Sequence, residues 1–375
     1  MPRSTEKNAR EEKVSVYPVD YAVLITTVIL VLFGVVMIFS ASYYNAGNSA
    51  ECNYDIYFYL KRQFAWTIIG FVAMYLMSNI NYMKLKKFVT PFFIISNILL
   101  FLVLIIGKEV NGAKRWIELG PVSFQPSEIS KLALILFLSN FISERKRILT
   151  TWRGFFCCLI IILIPTGLIA KENMSTAIVE FLIGMVVVFV ASPRFRYFVV
   201  GAILAGVGGT LMVLLGGAFR MGRIKAWIDP FADASNTGFQ TVQSLYAIGS
   251  GGLFGLGLGQ SRQKLYIPEG HNDIIFAIIC EELGLFGAII LVFLFAILIW
   301  RGLNISMNAR NVFGCLIASG IVVMIGIQVV INIAVVTNTI PNTGVPLPFI
   351  SYGGTSLVFM MASIGLLLNI SRYKS

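Results

Sequence analysis

The sequence predicts an all-α protein, a polytopic integral membrane bundle of about ten transmembrane helices with a large extracytoplasmic loop between helices 7 and 8. Two observations support this prediction. Of the 375 residues, 57% are hydrophobic and 13% are charged, whereas soluble proteins carry about 25% charged residues. Apolar runs also recur along the chain at a length of about 20 residues, which crosses a hydrocarbon core of about 30 Å.

Apolar runs of this length predict helices, because unpaired backbone groups are too costly in lipid for other structures apart from closed barrels of shorter strands. The first run is too long for the apolar core of a signal peptide, so we interpret it as a retained anchor. The predicted spans are, in order, 20–41, 63–80, 88–107, 125–143, 154–170, 174–192, 196–216, 273–300, 312–337 and 352–370.

The distribution of basic residues predicts the orientation of these spans. The chain has 29 Lys and Arg against 18 Asp and Glu, and they cluster in alternate loops such as KLKK (84–87) and RKR (145–147). This positive-inside pattern predicts cytoplasmic termini. Residues 1–16 are then a polar cytoplasmic tail and residues 17–375 one integral domain. The basic excess is interpreted as an orientation signal, so nucleic acid is not expected as a partner.

The external segments are the expected place for chemistry. They comprise 42–62, 108–124, 217–272 and 338–351. A loop longer than fifty residues in so compact a chain usually has a function. A metal centre has little support, because the five cysteines lack metal-ligand spacing and His271 is the only histidine.

The end of the long loop, YIPEGHNDIIFAIICEELG (266–284), contains the only histidine and four carboxylates. If the next helix begins near Asn272, Asp273 occupies its first turn at the water-facing mouth. There it is suited to act as a general base, although the helix dipole alone also favours a carboxylate at that position. Glu281 and Glu282 are expected to be buried structural groups that other helices satisfy. His271 is interpreted as a loop residue, with a secondary role as proton acceptor as the alternative.

A second concentration of charge lies in and before the fourth span. Glu128 and Lys131 are three residues apart, so they share a helix face and can pair. Charges inside a span are functional candidates, with a helix-locking ion pair as the alternative. Lys114, Arg115 and Trp116 precede them, where cations and an indole could meet a diphosphate and a sugar. Interfacial anchoring is the other explanation for Trp116.

The long loop begins with basic residues where topology would discourage them. Arg220, Arg223 and Lys225 are candidates for binding phosphate; snorkelling to lipid headgroups is the alternative. The segment 238–260 follows, with amide and hydroxyl side chains that include Gln243 and Ser244, and then becomes glycine-rich.

The glycine-rich part could bring backbone N–H groups close to a diphosphate, or it could pack between helices. It lacks the Gly-Lys-Ser/Thr ending of a nucleotide-binding loop, which argues against an ATPase. The last external turn, NTGVPLPFISYGGTS (342–356), predicts a fixed irregular backbone that lines a cavity.

Taken together, these segments resemble the SEDS family (shape, elongation, division and sporulation) of polytopic peptidoglycan polymerases, with the FtsW/SpoVE branch closer than RodA. The resemblance runs in family order from Tyr17 to Arg372. The matching segments are NGAKRWIELG, QPSEISKL, FADASNTGFQTVQSLYAIGSGGLFGLGLGQS, PEGHNDIIFAIICEELG and TGVPLPFISYGGTS.

The resemblance implies roles for the residues in these motifs. Asp273 matches the essential aspartate of the family. The other matches are Lys114, Arg115 and Trp116 in the first external motif, Glu128 and Lys131 in the polar fourth span, and Arg220 and Arg223 at the start of the large loop. The chain departs from the pattern at Glu172, where a proline is expected, and at Gly270, Asn272 and Ile274.

The family implies a reaction in which lipid II, a disaccharide-pentapeptide on undecaprenyl diphosphate, is polymerised at the outer face of the bacterial cytoplasmic membrane. Asp273 would accept the proton of the acceptor hydroxyl, and outer cations would hold the diphosphate. A divalent cation such as Mg²⁺ or Mn²⁺ could assist, although no motif identifies one. A class B penicillin-binding protein is the implied partner, and the role would be in division or sporulation. A lipid II flippase and a scaffold that recruits the penicillin-binding protein are the alternatives.

Overall fold

The computed structural model describes residues 17–110, 113–120, 122–145, 147–192, 194–215, 217–267 and 269–373. The predicted tail, 1–16, lies outside the described residues. Within them, ten helices have 18 residues or more. They are α1 (Tyr21–Asn48), α2 (Phe58–Asn79), α3 (Tyr82–Ile106), α4 (Pro126–Glu144), α5 (Trp152–Ala170), α6 (Met174–Ala191), α7 (Phe195–Leu215), α10 (Ile275–Met307), α11 (Val312–Val336) and α12 (Gly354–Ser371), with the shorter α8 (Gly217–Ile228) and α9 (Phe239–Gly251) between α7 and α10.

The predicted membrane bundle is confirmed. Seven of the helices in the described ranges, α1, α3, α5, α6, α10, α11 and α12, are long and apolar enough to cross a membrane. The remaining long helices, α2, α4 and α7, coincide with the predicted second, fourth and seventh spans. The large loop between the seventh and eighth spans is present, and it contains two helices of its own.

Side-chain caps mark where several of these helices begin. The Asp20 carboxylate accepts the N–H groups of Ala22 and Val23 at 3.1 and 3.2 Å at the start of α1. Asn173 and Asn311 cap α6 and α11 in the same way, with distances of 3.1 and 2.8 Å. Such caps satisfy the first N–H groups of a helix, which have no partner inside it.

Two external segments differ from the expectation. Helix α1 continues to Asn48 and α2 already begins at Phe58, so more than half of the segment 42–62 is helical rather than a loop. The segment 108–124 forms an antiparallel sheet of three strands in the order β1 (Lys108–Val110), β2 (Ala113–Leu119) and β3 (Val122–Phe124). Strands of three to seven residues give too few alternations to stand out in a sequence.

The large loop folds over one end of the bundle and is fixed there by hydrogen bonds. Trp227 on α8 donates through Nε1 to the carbonyl of Asn338 at 3.1 Å, and Asn338 Nδ2 returns a bond to the Trp227 carbonyl at 3.2 Å. Asn342 Nδ2 donates to Gln240 Oε1 on α9 at 2.8 Å. These bonds hold segment 337–353 against α8 and α9, and its backbone is irregular, as the proline- and glycine-rich sequence predicted; that it lines a cavity stays a prediction.

Candidate active site

Asp273 lies in the turn that leads into α10, at the end of the bundle covered by the large loop. The helix begins at Ile275, so Asp273 precedes its first turn and the expected start near Asn272 is wrong by a few residues. The carbonyl of Asp273 accepts a hydrogen bond from Asn332 Nδ2 of α11 at 2.7 Å, and the same nitrogen donates to the carbonyl of Val345 at 2.8 Å. One buried amide thus ties the Asp273 turn to α11 and to segment 337–353.

The carboxyl group of Asp273 is half-buried beneath segment 337–353. Gly344, at φ +65°, lies beside it, and a Cβ atom at that glycine would stand 3.3 Å from Asp273 Oδ2. Burial raises the pKa of the Asp273 carboxyl, and the charge of Glu269 adds to this, whereas Arg223 lowers it. A carboxylate with a raised pKa is a better proton acceptor than an exposed one.

Two half-buried guanidinium groups lie on the same side of the bundle. Arg223 of α8 donates through Nη1 to the carbonyl of Asn342 at 3.3 Å, and its charge acts on Asp273. Arg115 of β2 donates through Nε to the carbonyl of Glu172 at 3.0 Å. Burial lowers the pKa of both groups, and the charge of Arg223 lowers that of Arg115 further. The structure therefore brings the two cations within electrostatic reach of each other.

Glu172, noted in the sequence as a departure from the family pattern, anchors strand β2. Its carboxylate accepts the backbone N–H of Lys114 at 2.9 Å, in addition to the bond from Arg115 to its carbonyl. These three residues line a small pocket at the ends of α3 and α5 and the start of α4. The pocket is completed by Leu100, Val103, Leu104, Gln125, Pro126, Ser127, Leu168, Ile169 and Asn173.

The predicted pair in the fourth span is confirmed. Lys131 Nζ lies 2.8 Å from Glu128 Oε1, and the two side chains are 3% and 7% exposed. Beside them Ser130 Oγ donates to Glu180 Oε1 of α6 at 2.5 Å. Sequence reasoning missed Glu180, although a carboxylate inside the apolar run of α6 is itself a signal of a polar interior. Contact of Glu128 or Lys131 with a substrate stays a prediction.

Glu281 and Glu282 are buried structural groups, as expected. Lys264 Nζ lies 3.2 Å from Glu282 Oε1, and Ser40 of α1 donates to the other carboxylate oxygen at 2.5 Å. Glu281 accepts the N–H of Arg262 at 2.9 Å. The expected source of their partners is wrong in part, because most of the bonds come from the end of the large loop rather than from helices.

The glycine-rich stretch packs against α10. Leu285 donates to the carbonyl of Gly252 at 2.9 Å, and Gly257 donates to the carbonyl of Glu282 at 2.9 Å. These bonds form where α10 is kinked at Gly284, whose φ of +67° suits glycine. The N–H groups of Gly255, Leu256 and Gly257 all donate to carbonyls within the protein, and packing against a helix is the alternative that the structure favours for this stretch.

The remaining candidate side chains lie on α8, α9 and β2. Ser244 is buried on α9, and its hydroxyl donates to the carbonyl of Gln240 at 2.8 Å. Gln243 is half-buried on the same helix, and Trp116 is half-buried on β2. Arg220 precedes Arg223 on α8, and its side chain lies outside the described residues.

His271 is part of an aromatic cluster. Its ring is packed against Tyr59 and Tyr352, with ring centroids 4.2 and 5.4 Å away. The N–H of Tyr352 donates to the His271 carbonyl at 2.9 Å. Burial lowers the pKa of His271 to about 4, so the imidazole is neutral near pH 7. The interpretation as a loop residue is favoured.

Sequence reasoning missed three residues that shape the surroundings of Asp273: Asn332, Asn342 and Gly344. Asn332 could have been found as an amide inside a long apolar run. In the ranges that the structure covers, no three His, Cys, Asp or Glu side chains lie close enough together to hold a metal ion. The described side chains therefore do not fit a divalent cation held by the protein alone.

Comparison with known proteins places this geometry in a family. The model of the FtsW/RodA/SpoVE family, described as cell cycle protein, matches residues 21–375. Stage V sporulation protein E of Bacillus subtilis strain 168 is 42% identical over 359 residues, which cover 94% of this chain and 97% of that protein. The probable peptidoglycan glycosyltransferase FtsW of Geobacter sp. strain M18 is 38% identical over 357 residues, covering 94% and 96%.

Solved structures agree. One solved chain comes from a structure described as "Structural coordination of polymerization and crosslinking by a peptidoglycan synthase complex". It superposes on this chain with a TM-score of 0.78 at 27% identity, and the superposition covers 94% of this chain and 98% of the solved chain. The crystal structure of the rod shape determining protein RodA of Thermus thermophilus gives a TM-score of 0.71 at 28% identity, with 95% and 98% covered. The chain belongs to the FtsW/RodA/SpoVE family of cell cycle proteins.

Proposed function

We propose that this protein is a peptidoglycan glycosyltransferase that polymerises lipid II into glycan strands at the outer face of the bacterial cytoplasmic membrane, in division or sporulation. The observation that carries the proposal is a half-buried carboxyl, Asp273, beside the cation Arg223 at one end of a membrane bundle. The names of relatives such as the Geobacter FtsW, a probable peptidoglycan glycosyltransferase, support it.

The diphosphate of the lipid is held by Arg115, Arg223, Lys114 and Arg220. Guanidinium groups bind phosphate oxygens with directed, charge-assisted hydrogen bonds. The charge of Arg223 disfavours the charged form of Arg115, and an anion between the two groups would relieve that repulsion. The two guanidinium groups therefore lack a negatively charged partner between them, and a diphosphate would supply that charge.

The reaction is a displacement at the anomeric carbon of the donor strand. The acceptor 4-hydroxyl gives its proton to the Asp273 carboxylate, and its oxygen forms a bond to that carbon. The bond from the carbon to the diphosphate oxygen breaks, and its electron pair leaves with the lipid diphosphate, whose charge the cations stabilise. Attack from the face opposite the leaving group converts an α-linked donor into a β-linked product.

The proposed orientation places both termini in the cytoplasm and the candidate active site outside. Tyr17 donates its N–H to the carbonyl of Arg372 at 3.0 Å, so the two ends of the described chain meet at one end of the bundle. The basic loops lie on that side, as the positive-inside rule requires. We treat 17–375 as one integral domain, and we propose substrate contacts for Trp116, Glu128, Lys131, Gln243 and Ser244.

A class B penicillin-binding protein is the proposed partner. The description of one solved relative couples polymerisation with crosslinking in a single synthase complex, and a polymerase of this class needs a transpeptidase to join its strands. Because such a partner can be required for activity, the assays below use the protein together with it.

A lipid II flippase is the second candidate. The buried pair of Glu128 and Lys131, 2.8 Å apart inside a span, favours it, because intramembrane charges often line a transport path. The position of Asp273 at one mouth of the bundle, rather than midway through it, favours the transferase. A scaffold that only recruits the penicillin-binding protein would need no carboxylate there.

One experiment separates these functions. The full-length protein and its partner are mixed in detergent micelles with fluorescent lipid II, and polymer is resolved by gel electrophoresis. Micelles offer no bilayer to cross, so polymer supports the transferase. Asp273→Asn should abolish polymer while the complex still forms. The matched control is Asp233→Asn on the same loop, whose carboxylate accepts local bonds from Thr237 and Asn236.

Normal polymerisation by Asp273→Asn would refute the catalytic assignment. Movement of lipid II across proteoliposome membranes without polymer would favour the flippase, and cell-wall synthesis that survives Asp273→Asn would favour the scaffold.

A further inference from the structure

A groove lies at the end of the bundle opposite to Asp273. It is enclosed by the residues that lead into α1 and by the last turns of α2 and α12, and its volume is about 370 Å³, within the range of small-ligand sites. Arg301 near the end of α10 pairs with Asp20 at 2.6 Å, so this groove is on the order of 40 Å of helix away from Asp273. The groove is therefore separate from the candidate active site and faces the other membrane surface.

The polar end of the groove is formed by Arg372, Ser78 and Asn79. Arg372 Nη1 donates to Asn79 Oδ1 at 3.1 Å and to the Ser78 carbonyl at 3.4 Å, and Asn369 Nδ2 also donates to that carbonyl at 2.8 Å. The carbonyl of Ser78 in the last turn of α2, which would otherwise repel an anion, is thus covered by donors.

The charge of this end is positive. Among the residues that the structure describes, no carboxylate forms an ion pair with Arg372. The neighbouring acid, Asp20, is occupied by the cap of α1 and by Arg301. A guanidinium group in this setting favours a phosphate oxygen as an additional partner.

The other end of the groove is apolar and continues into the outer surface of the bundle. Met74 and Leu368 form its floor. Tyr21 and Tyr75 stand at the rim with 61% and 68% of their surface exposed, as tyrosines do at the level of lipid headgroups. Beyond them the outward faces of α1 and α2 are apolar, with Ile25, Val72 and Leu76 exposed.

We propose that this groove binds one anionic phospholipid, with its phosphate at Arg372 and an acyl chain between α1 and α2. The groove is polar at the membrane surface and apolar toward the bilayer centre, which is the polarity of a phospholipid. A zwitterionic headgroup would bring its own cation toward Arg372, and a soluble phosphate would leave the apolar half unfilled. Because the groove joins α1, α2 and α12, the bound lipid would bridge the two ends of the chain.

Native mass spectrometry of the full-length protein tests the proposal. The protein is equilibrated with equal amounts of phosphatidylglycerol and phosphatidylcholine that carry the same acyl chains, and the bound lipids are counted. Wild type should retain one phosphatidylglycerol in preference. Arg372→Gln should reduce that preference about fivefold, the factor that one interfacial basic side chain supplies. Arg196→Gln is the matched control, since Arg196 is exposed at the start of α7 and away from the groove.

Arg372→Gln also removes hydrogen bonds to the end of α2, so a second variant tests the groove while those hydrogen bonds stay in place. Leu24→Trp places a large side chain in the groove and leaves Arg372 intact; it should lose the bound lipid. Soluble glycerophosphate should fail to displace phosphatidylglycerol at equal concentration. The proposal is overturned if Arg372→Gln and Arg196→Gln show the same preference for phosphatidylglycerol. It is also overturned if Leu24→Trp retains the lipid or if glycerophosphate displaces the lipid.

Discussion

Replacing Asn332 by leucine should damage the candidate active site through the backbone alone. The Asn332 side chain is 1% exposed and donates to the carbonyls of Asp273 and Val345 at 2.7 and 2.8 Å. Leucine keeps the branched shape, although its methyl groups are larger, and removes both donors. An unpaired buried carbonyl costs about 1–3 kcal/mol. The bond to Asp273 is partly buried and the bond to Val345 is buried, so the loss should total roughly 2–4 kcal/mol.

Part of this loss should appear as lower stability and part as movement of the Asp273 turn. A shift of about 1 Å in a catalytic group can cost about 100-fold in rate. We therefore expect kcat for lipid II polymerisation to fall by about 10–100-fold, with a small change in KM because the cations on α8 and β2 are untouched. Thermal unfolding and polymerisation kinetics, measured on the same protein with its partner, separate the two effects.

Gln328→Leu is the matched control, one turn earlier on α11. Gln328 is 2% exposed, and its Nε2 has no hydrogen-bond partner among the described residues. Removing an unpaired buried amide should leave stability unchanged or raise it. Equal kcat values for the two leucine variants would refute the view that Asn332 positions Asp273, and equal unfolding temperatures would refute the estimate of its hydrogen bonds.

Three further predictions follow from the charges. Burial raises the pKa of Asp273 and Arg223 lowers it, so the polymerisation rate should fall as the pH drops through a value above the usual aspartate range. Arg223→Gln removes the charge that lowers this pKa and should move the acidic limb of the kcat/KM profile to higher pH. An acidic limb that does not move would contradict the assignment of Asp273 as the base. Glu172→Leu should raise KM severalfold by releasing strand β2, whereas Glu172→Gln should retain the bond to the backbone and a near-normal KM; identical values for both would count against the anchor. Lys264→Met leaves the charge of Glu282 without its cation and should lower the free energy of unfolding by about 3–5 kcal/mol. Adding Glu282→Gln should restore most of that free energy. A double variant as unstable as the single variant would contradict a stabilising role of the ion pair.

The membrane bundle was predictable because a span needs only length and hydropathy, and both can be read from contiguous residues. The small sheet in 108–124 was not, since its strands have three to seven residues. The start of α10 was placed too early because polar residues before a helix resemble those of its first turn. The hydropathy of the chain falls after residue 41, so the sequence predicts the end of the first span there, although helix α1 continues to Asn48.

In the candidate site, too, several individual residues could be predicted from the sequence, whereas the contacts between them could not. Asp273 and Arg223 were predicted as separate features, but their proximity depends on how α8 packs against segment 337–353. Asn332 was hidden because a single amide hardly lowers the hydropathy of α11. Glu172 looked like a departure from a pattern, and its contacts with β2 arise between residues 58 positions apart. Long-range pairings of this kind leave no local signal in a single sequence.

The acidic residues at the start of α10 perform two tasks that one short motif combines. Glu281 and Glu282 are bonded to Arg262 and Lys264 of the large loop. Buried charges of this kind stabilise little in themselves but strongly penalise any arrangement that separates them from their partners. They therefore specify where the large loop closes on α10. Asp273 lies on the same stretch of chain but keeps its carboxyl half-buried and outside such a network, so its proton affinity can respond to a substrate. An enzyme at a membrane surface needs both properties together, because an irregular loop cannot position a reactive carboxyl unless the membrane-embedded residues beside it hold the loop in one conformation.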